Sequence, residues 1–239
     1  MATQFEIDCA LMAGAAYRSN RPADKNKFPV PDGWVAFNHV NLNSGFEAVS
    51  FTDGNEIVIS FAGTGDIADV VADVSLFAGA CQTQLVQAAA YYLQIKSDPK
   101  YSNAHITFTG HSLGGGLAAL LAVFFNENAV TFDQAPFGSS ASIMVATALR
   151  SNLISTYPQT SSWLTPLNSF IDLYGDVLDV RESKVTNINV QGEVLSTLSA
   201  LRIGTSAILE HGSSASIIEL HSQSLLAAFL EDDRFRQVT

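Results

Sequence analysis

The residues with the clearest chemical potential are Gly110, His111, Ser112, Leu113 and Gly114, a G-x-S-x-G pentapeptide followed directly by Gly115 and Gly116. A serine in a tight turn between a strand and a helix takes strained backbone angles, and glycines flank it because a Cβ there would collide with neighbouring chain. The hydroxyl is thereby pushed out at the sheet edge. The same turn puts Ser112 at the positive end of the following helix and aims the Leu113 N–H at an oxyanion forming on a bound carbonyl group. The chemistry this implies is nucleophilic acyl transfer. A second oxyanion donor has to come from a loop after an earlier strand, and Phe61-Ala62-Gly63-Thr64 offers the Thr64 N–H. That loop has a rival reading, because Gly63, Gly65 and Ala68 fit the G-x-G-x-x-A spacing of a dinucleotide fingerprint. Such a fingerprint requires a second parallel strand ending in an acid, whereas residues 82–96 read as helix. A dinucleotide is therefore disfavoured, and Asp66, Asp69 and Asp73 read as cap and first-turn acids of a helix.

A serine hydroxyl is a poor nucleophile near neutral pH and needs a histidine base, itself held in one tautomer by a carboxylate. The chain has five histidines. His39 precedes the elbow, His105 opens the strand leading to it, and His111 reads as pointing away from Ser112. His211 and His221 remain as candidate bases. The acids available after the elbow are Asp172, Asp176, Asp179, Glu182, Glu193 and Glu210. Asp176 and Asp179 share a stretch, 174–179, that reads as a turn near the pocket.

Elements must exist to hold these groups. Residues 5–17 carry apolar positions at helical spacing and read as a helix appended to the fold, with a proline-containing loop over 20–33. The patterns at 46–52 and 56–61, separated by Asp53-Gly54-Asn55, read as a hairpin. Helices are expected over 66–76 and 82–96, a buried strand at 105–109, an apolar helix at 117–126 and a strand at 129–132. This alternation implies a parallel sheet covered on both faces. Further on, 142–157 reads as an amphipathic helix, 184–190 as a strand, 207–209 as strand-like and 220–230 as a closing helix. One α/β domain over residues 1–239 accounts for the pattern. Residues 137–168 are the candidate for a lid or cap over the pocket, or for an ordinary packing helix.

Composition narrows the function. The chain has 239 residues, 47% hydrophobic and 15% charged, with 12 basic and 23 acidic side chains and a formal charge of −11. Clustered Lys and Arg are missing, which argues against a nucleic-acid partner. The longest apolar run, 117–125, is far short of the ~18 residues a membrane span needs. A signal-peptide lookalike at 9–17 lacks a basic flank and reads as a helix of the mature fold. Localisation stays open between cytoplasmic and exported by a signal-independent route. Cys9 and Cys81 have no CxxC or histidine partner and read as buried free thiols, a single bridge being the other option. There is no H-E-x-x-H, no histidine pair at ligand spacing and no Asp-rich EF-type loop, so neither a metal nor another cofactor is expected.

Phe61-Ala-Gly-Thr64, then Gly110-His-Ser-Leu-Gly-Gly115, then Val130-Thr-Phe-Asp-Gln-Ala-Pro136 together resemble the fungal-type class 3 lipases of the α/β-hydrolase superfamily, over roughly residues 46–138. The resemblance implies an α/β-hydrolase fold with a mostly parallel central sheet flanked by helices. It implies Ser112 as nucleophile with Thr64 and Leu113 as oxyanion donors. The chain departs from the family at Asp133, where glycine is usual, which bears on the pocket wall. The superfamily order is Ser, acid, His, and the placement of its histidine after a loop points to His221, with His211 as the alternative. The family's acid sits in a turn after the next strand, which points to Glu193, with Asp176 and Asp179 as alternatives. The expected activity is hydrolysis of carboxylic esters of acyl lipids, as a lipase, phospholipase or esterase, at a membrane or micelle interface. An amide or thioester hydrolase and a non-catalytic binding protein on the same fold are the rivals. The resemblance also implies that such a domain can be one part of a longer exported chain.

Overall fold

A computed structural model describes residues 2–17, 28–63, 77–210 and 215–231, with side chains at all of these except 77–81, 225 and 229. Seven strands form one sheet in chain order: β1 (Val35–Asn41), β2 (Glu47–Thr52), β3 (Glu56–Phe61), β4 (His105–His111), β5 (Asn128–Phe132), β6 (Val185–Val190) and β7 (Thr205–Leu209). The first three run antiparallel, and β3 through β7 are parallel neighbours. The hairpin at 46–61 and the strands at 105, 129 and 184 fall where the hydrophobic pattern puts them.

The helices are α1 (Gln4–Ala15), α2 (Phe77–Ser97), α3 (Leu113–Phe125), α4 (Ile143–Thr156), α5 (Thr165–Asp172), α6 (Tyr174–Glu182), α7 (Ile217–Leu220) and α8 (Gln223–Glu231). Parallel strands added in one direction through right-handed crossovers send every crossover helix to the same face. One core accordingly combines Ile57, Ile59 and Phe61 of β3 with Leu93 of α2, Leu117 and Leu121 of α3 and Leu149 and Leu153 of α4. The intervening strand residues face the other way, as the two-residue repeat of a strand demands. Val58, Val130, Phe132, Ile188 and Val190 pack there against Cys9, Met12 and Ala13 of α1 and Leu226 and Leu230 of α8.

This corrects the expectation that the first helix is an appendage. Cys9, Met12 and Ala13 are fully buried, and α1 packs with α8 over the face that the crossover helices do not cover. Burial lifts the Cys9 thiol well above its ordinary pKa, with Asp8 adding to the rise, so it stays a neutral apolar filler. Cys81 lies in the stretch whose side chains are not described. Stretch 174–179 is likewise a helix, not a turn, and the closing helix runs over Gln223–Glu231, separated at His221 from the short helix Ile217–Leu220. The predicted helix at 66–76 lies outside the described residues. In the candidate lid, α4 keeps Ala146, Leu149 and Leu153 buried while Ile143, Met144 and Ile154 are exposed. No helix among the described residues is long and apolar enough to cross a membrane.

Candidate active site

The site lies at the C-terminal ends of β4, β5 and β6. Strand β4 stops at His111 and α3 starts at Leu113, so Ser112 must reverse the chain in one residue. It does so at φ 56° and ψ −123°, a region costly for a residue with a Cβ, by about 1–3 kcal/mol. Close approach explains the glycines. A Cβ on Gly110 would lie 2.5 Å from the Gly114 carbonyl carbon, and one on Gly114 would lie 2.0 Å from the Phe61 carbonyl oxygen. Backbone bonds then lock the turn to the next strand, with Ser112 N donating to Phe132 O and Ala135 N donating to Ser112 O, each at 3.0 Å.

Ser112 occupies the N-cap position of α3 yet its side chain makes no cap bond, unlike most serines there. The buried hydroxyl has no partner among the described residues. Leu113 is the first residue of the helix, where an N–H has no acceptor within the helix, so it is free to face an anion. The end of β3 lies against this point, because a Cβ on Gly63 would sit 3.5 Å from Leu113 N. Thr64, the expected second donor, lies outside the described residues.

His221 caps the C-terminus of α7 and is completely buried. Its Nδ1 lies 2.6 Å from Glu193 Oε2. A carboxylate can only accept, so Nδ1 carries a proton, and the neutral ring has its lone pair on Nε2, the tautomer a general base needs. Nε2 is buried and has no partner among the described residues. Glu193 follows β6 in the turn made by Gly192 at φ 74°. The carboxylate is held from three sides: Leu195 N donates to Oε2 at 2.7 Å, Arg202 Nη2 to Oε1 at 2.5 Å, and His221 completes the set. Burial by itself would raise the Glu193 pKa. The His221 bond, the Arg202 charge and the Leu195 N–H outweigh it, so Glu193 stays below its ordinary value and ionised.

Arg202 is fixed in turn. Its Nε donates to Gln134 O at 2.7 Å, while Gln134 exchanges two bonds with the Ile203 backbone and donates to Thr131. Neither Arg202 nor Gln134 carries a motif in the sequence. One signal existed for Arg202: it is the only Lys or Arg between Lys184 and Arg234, set between Leu201 and Ile203.

The remaining candidates separate clearly. Asp176 and Asp179 are exposed on α6 and take no part in this arrangement. His211 lies outside the described residues. His111, expected to point elsewhere, is in the site. Ile106 and Phe108 face the crossover helices, so two-residue alternation turns His111 toward the α1 and α8 side, where its ring centroid lies 4.7 Å from that of His221. Asp133 takes φ 40° and is fully buried. Val190 N donates to its Oδ1 at 2.8 Å, and its Oδ2 lies 3.8 Å from His111 Nε2. Burial, reinforced by the nearby Glu193 charge, pushes its pKa well up. Although no metal spacing is visible in the sequence, His111, Asp133 and His221 each bring one ligand-type atom within 4.8 Å of the others.

A sheet of this order with a strained serine between strand and helix, a buried histidine near the C-terminus and an acid after β6 defines an α/β-hydrolase fold of the lipase kind. Solved structures similar to this one include the lipase from Rhizopus microsporus var. chinensis, with 13% identity over 87% of this chain and 76% of that one at a TM-score of 0.52. Lipase II from Rhizopus niveus has 12% identity over 89% and 84% at 0.53. At such identities they establish the fold. The profile of the Tle-like phospholipase domain matches residues 9–227, and the chain belongs to that phospholipase-like family. An extracellular phospholipase A1 of Serratia liquefaciens is 38% identical over 95 residues, which is 40% of this chain and 29% of that protein's length.

Proposed function

We propose that this chain hydrolyses carboxylic esters of acyl lipids, with Ser112 as nucleophile, His221 as base and Glu193 as the acid that orients it. The observation that carries the proposal is two buried atoms without hydrogen-bond partners among the described residues: the Ser112 hydroxyl, held out of its capping role, and His221 Nε2, on a ring whose other nitrogen is held by Glu193. Membership in a phospholipase-like family supports a lipid ester as the substrate class.

In this mechanism His221 Nε2 takes the Ser112 proton as Oγ attacks the ester carbonyl, and the oxyanion of the tetrahedral intermediate is met by the Leu113 N–H and the Thr64 N–H. The imidazolium returns that proton to the departing alcohol. Water then attacks the acyl-enzyme with the same base, releasing the fatty acid and restoring Ser112. Arg202 keeps the Glu193 carboxylate ionised and fixed through both half-reactions, so that each proton transfer starts from the same tautomer. Ile217 and Ile218, exposed on α7 immediately ahead of His221, present an apolar surface beside the site, which suits a substrate held in a bilayer or micelle. A formal charge of −11 disfavours strongly anionic surfaces, so neutral and zwitterionic acyl lipids are the expected substrates.

The test is labelling with a fluorophosphonate together with rates on phosphatidylcholine vesicles, triglyceride emulsion and a soluble short-chain ester. Wild type is expected to be labelled and to release fatty acid from vesicles. Ser112→Ala is expected to lose both, with a rate lower by at least ~10⁴-fold. A folded wild type that resists the label, or a Ser112→Ala protein that keeps its rate, refutes the assignment.

A further inference from the structure

We infer that His221, His111 and Asp133 form an inhibitory binding site for a borderline divalent cation, of which zinc is the representative, and that metal binding there silences the proposed base. The inference rests on the reading of His221 as general base and adds a ligand to the same site.

Three observations carry it. The donor set is two imidazoles and one carboxylate, all buried, with donor atoms within 4.8 Å of one another. Bonds of 2.0–2.1 Å in a tetrahedral site place ligand atoms about 3.3 Å apart, so the three side chains have to draw in by about 1.5 Å at most. The second observation is the supply of electron pairs. His221 Nε2 and Asp133 Oδ2 are both buried and have no hydrogen-bond partner among the described residues. The third is the outer ring of contacts. A ligating histidine nearly always has its other nitrogen held by a carboxylate or similar group, which fixes ring and tautomer. His221 Nδ1 is held by Glu193 at 2.6 Å, and His111 Nδ1 faces the Tyr17 hydroxyl at 3.4 Å. Asp133 has the same support, its other oxygen being fixed by Val190 N.

The consequence is a direct competition. A cation bound to His221 Nε2 occupies the lone pair that must take the Ser112 proton, so attack on the ester stops without any change in Ser112 itself. The Asp133 carboxylate contributes one negative charge to the bound metal.

The experiment uses chelator-treated protein titrated with ZnCl₂ during hydrolysis of a soluble short-chain ester, and with CoCl₂ while visible absorption is recorded. One cobalt per chain is expected, with the absorption of a four- or five-coordinate nitrogen and oxygen site, displaced by zinc. The ester rate should fall on adding zinc and return on adding EDTA. Asp133→Asn keeps an acceptor for Val190 N, and Asp133→Gly suits the backbone angle. Each should raise the zinc concentration for half-inhibition at least ~10-fold, read against its own zinc-free rate. Absence of the cobalt absorption, its persistence in both Asp133 variants, or bound zinc that leaves the rate unchanged or raised overturns the inference. Cobalt absorption needs no turnover, so it remains readable in Ser112→Ala. A failure of the ester-hydrolase reading is therefore distinguishable from a failure of the metal site.

Discussion

The two halves of the candidate site are held by opposite means. On the serine side, Gly110, Gly114 and the strained Ser112 are fixed by backbone approaching backbone, within five consecutive residues of chain and the ends of the two neighbouring strands, β3 and β5. On the acid side, Glu193 is fixed by side chains drawn from distant segments, Arg202 and His221, with Gln134 behind them. The first half is rigid because it has no room. The second is rigid because each polar group in it answers another. A site of the first kind tolerates no added atom, while one of the second kind tolerates no lost charge.

The harshest way to break the serine side is Gly114→Ala. The new Cβ would stand 2.0 Å from Phe61 O, 2.8 Å from Phe61 C and 2.9 Å from Ala62 C, all backbone atoms that no rotamer change can move. The end of β3 would have to leave the elbow. We expect a loss of more than ~4 kcal/mol, read as a collapse of the denaturation midpoint, together with loss of fluorophosphonate labelling. A folded, labelled Gly114→Ala protein would show that the elbow has slack.

On the acid side, Glu193→Gln removes one charge and leaves Arg202 buried against a neutral amide. Breaking a buried pair from one end costs about 3 kcal/mol, at the lower edge of the usual range because the amide oxygen can still accept a bond. Turnover should fall by orders of magnitude. Adding Arg202→Met to Glu193→Gln removes the stranded charge, so the double variant should recover part of the lost stability and none of the lost rate. Asp176→Asn and Asp179→Asn, at exposed positions, should stay within about 0.5 kcal/mol of wild type. If the double variant is no more stable than Glu193→Gln, the acid side is not held by the pair. The pH dependence has a definite sign. Glu193 has a depressed pKa in the folded chain, so its contribution is present above the ordinary glutamate range and is lost as pH falls below about 4.3 and through the folded value. The stability gap between wild type and Glu193→Gln should therefore narrow on acidification.

The same contrast explains what could be read from the chain. The elbow is local in its pattern: a pentapeptide between a strand pattern and a helix pattern announces the turn, while the contacts that close it come from Phe61, Phe132 and Ala135. Glu193 and His221 were reachable through chain order and the resemblance to lipases. Arg202 and Gln134 were not, because their roles depend on partners 9 and 68 residues away along the chain. His111 was misread for a different reason: its direction depends on the register of β4 and on which face α1 covers. That α1 covers a face at all follows from one-directional strand order, which the alternation of elements does not reveal. Asp133 was visible as a departure, but its proximity to two histidines is a product of the ends of β4 and β5 meeting the break between α7 and α8.

Glycine itself offers the mildest test of the comparison, with the sign reversed. Gly175, the second residue of α6, has no heavy atom within 4 Å of where a Cβ would stand and no positive φ. Here the residue supplies neither clearance nor a special angle, and it burdens the helix with the extra freedom of the unfolded chain. Gly175→Ala should therefore stabilise the protein by about 0.5 kcal/mol, seen as a higher urea midpoint at unchanged slope, with lipid hydrolysis unaltered. The stretch 174–179 then behaves as a helix on the scaffold. A loss of activity in Gly175→Ala would instead return Asp176 and Asp179 to the pocket and blunt the division between a site held by clearance and one held by charge.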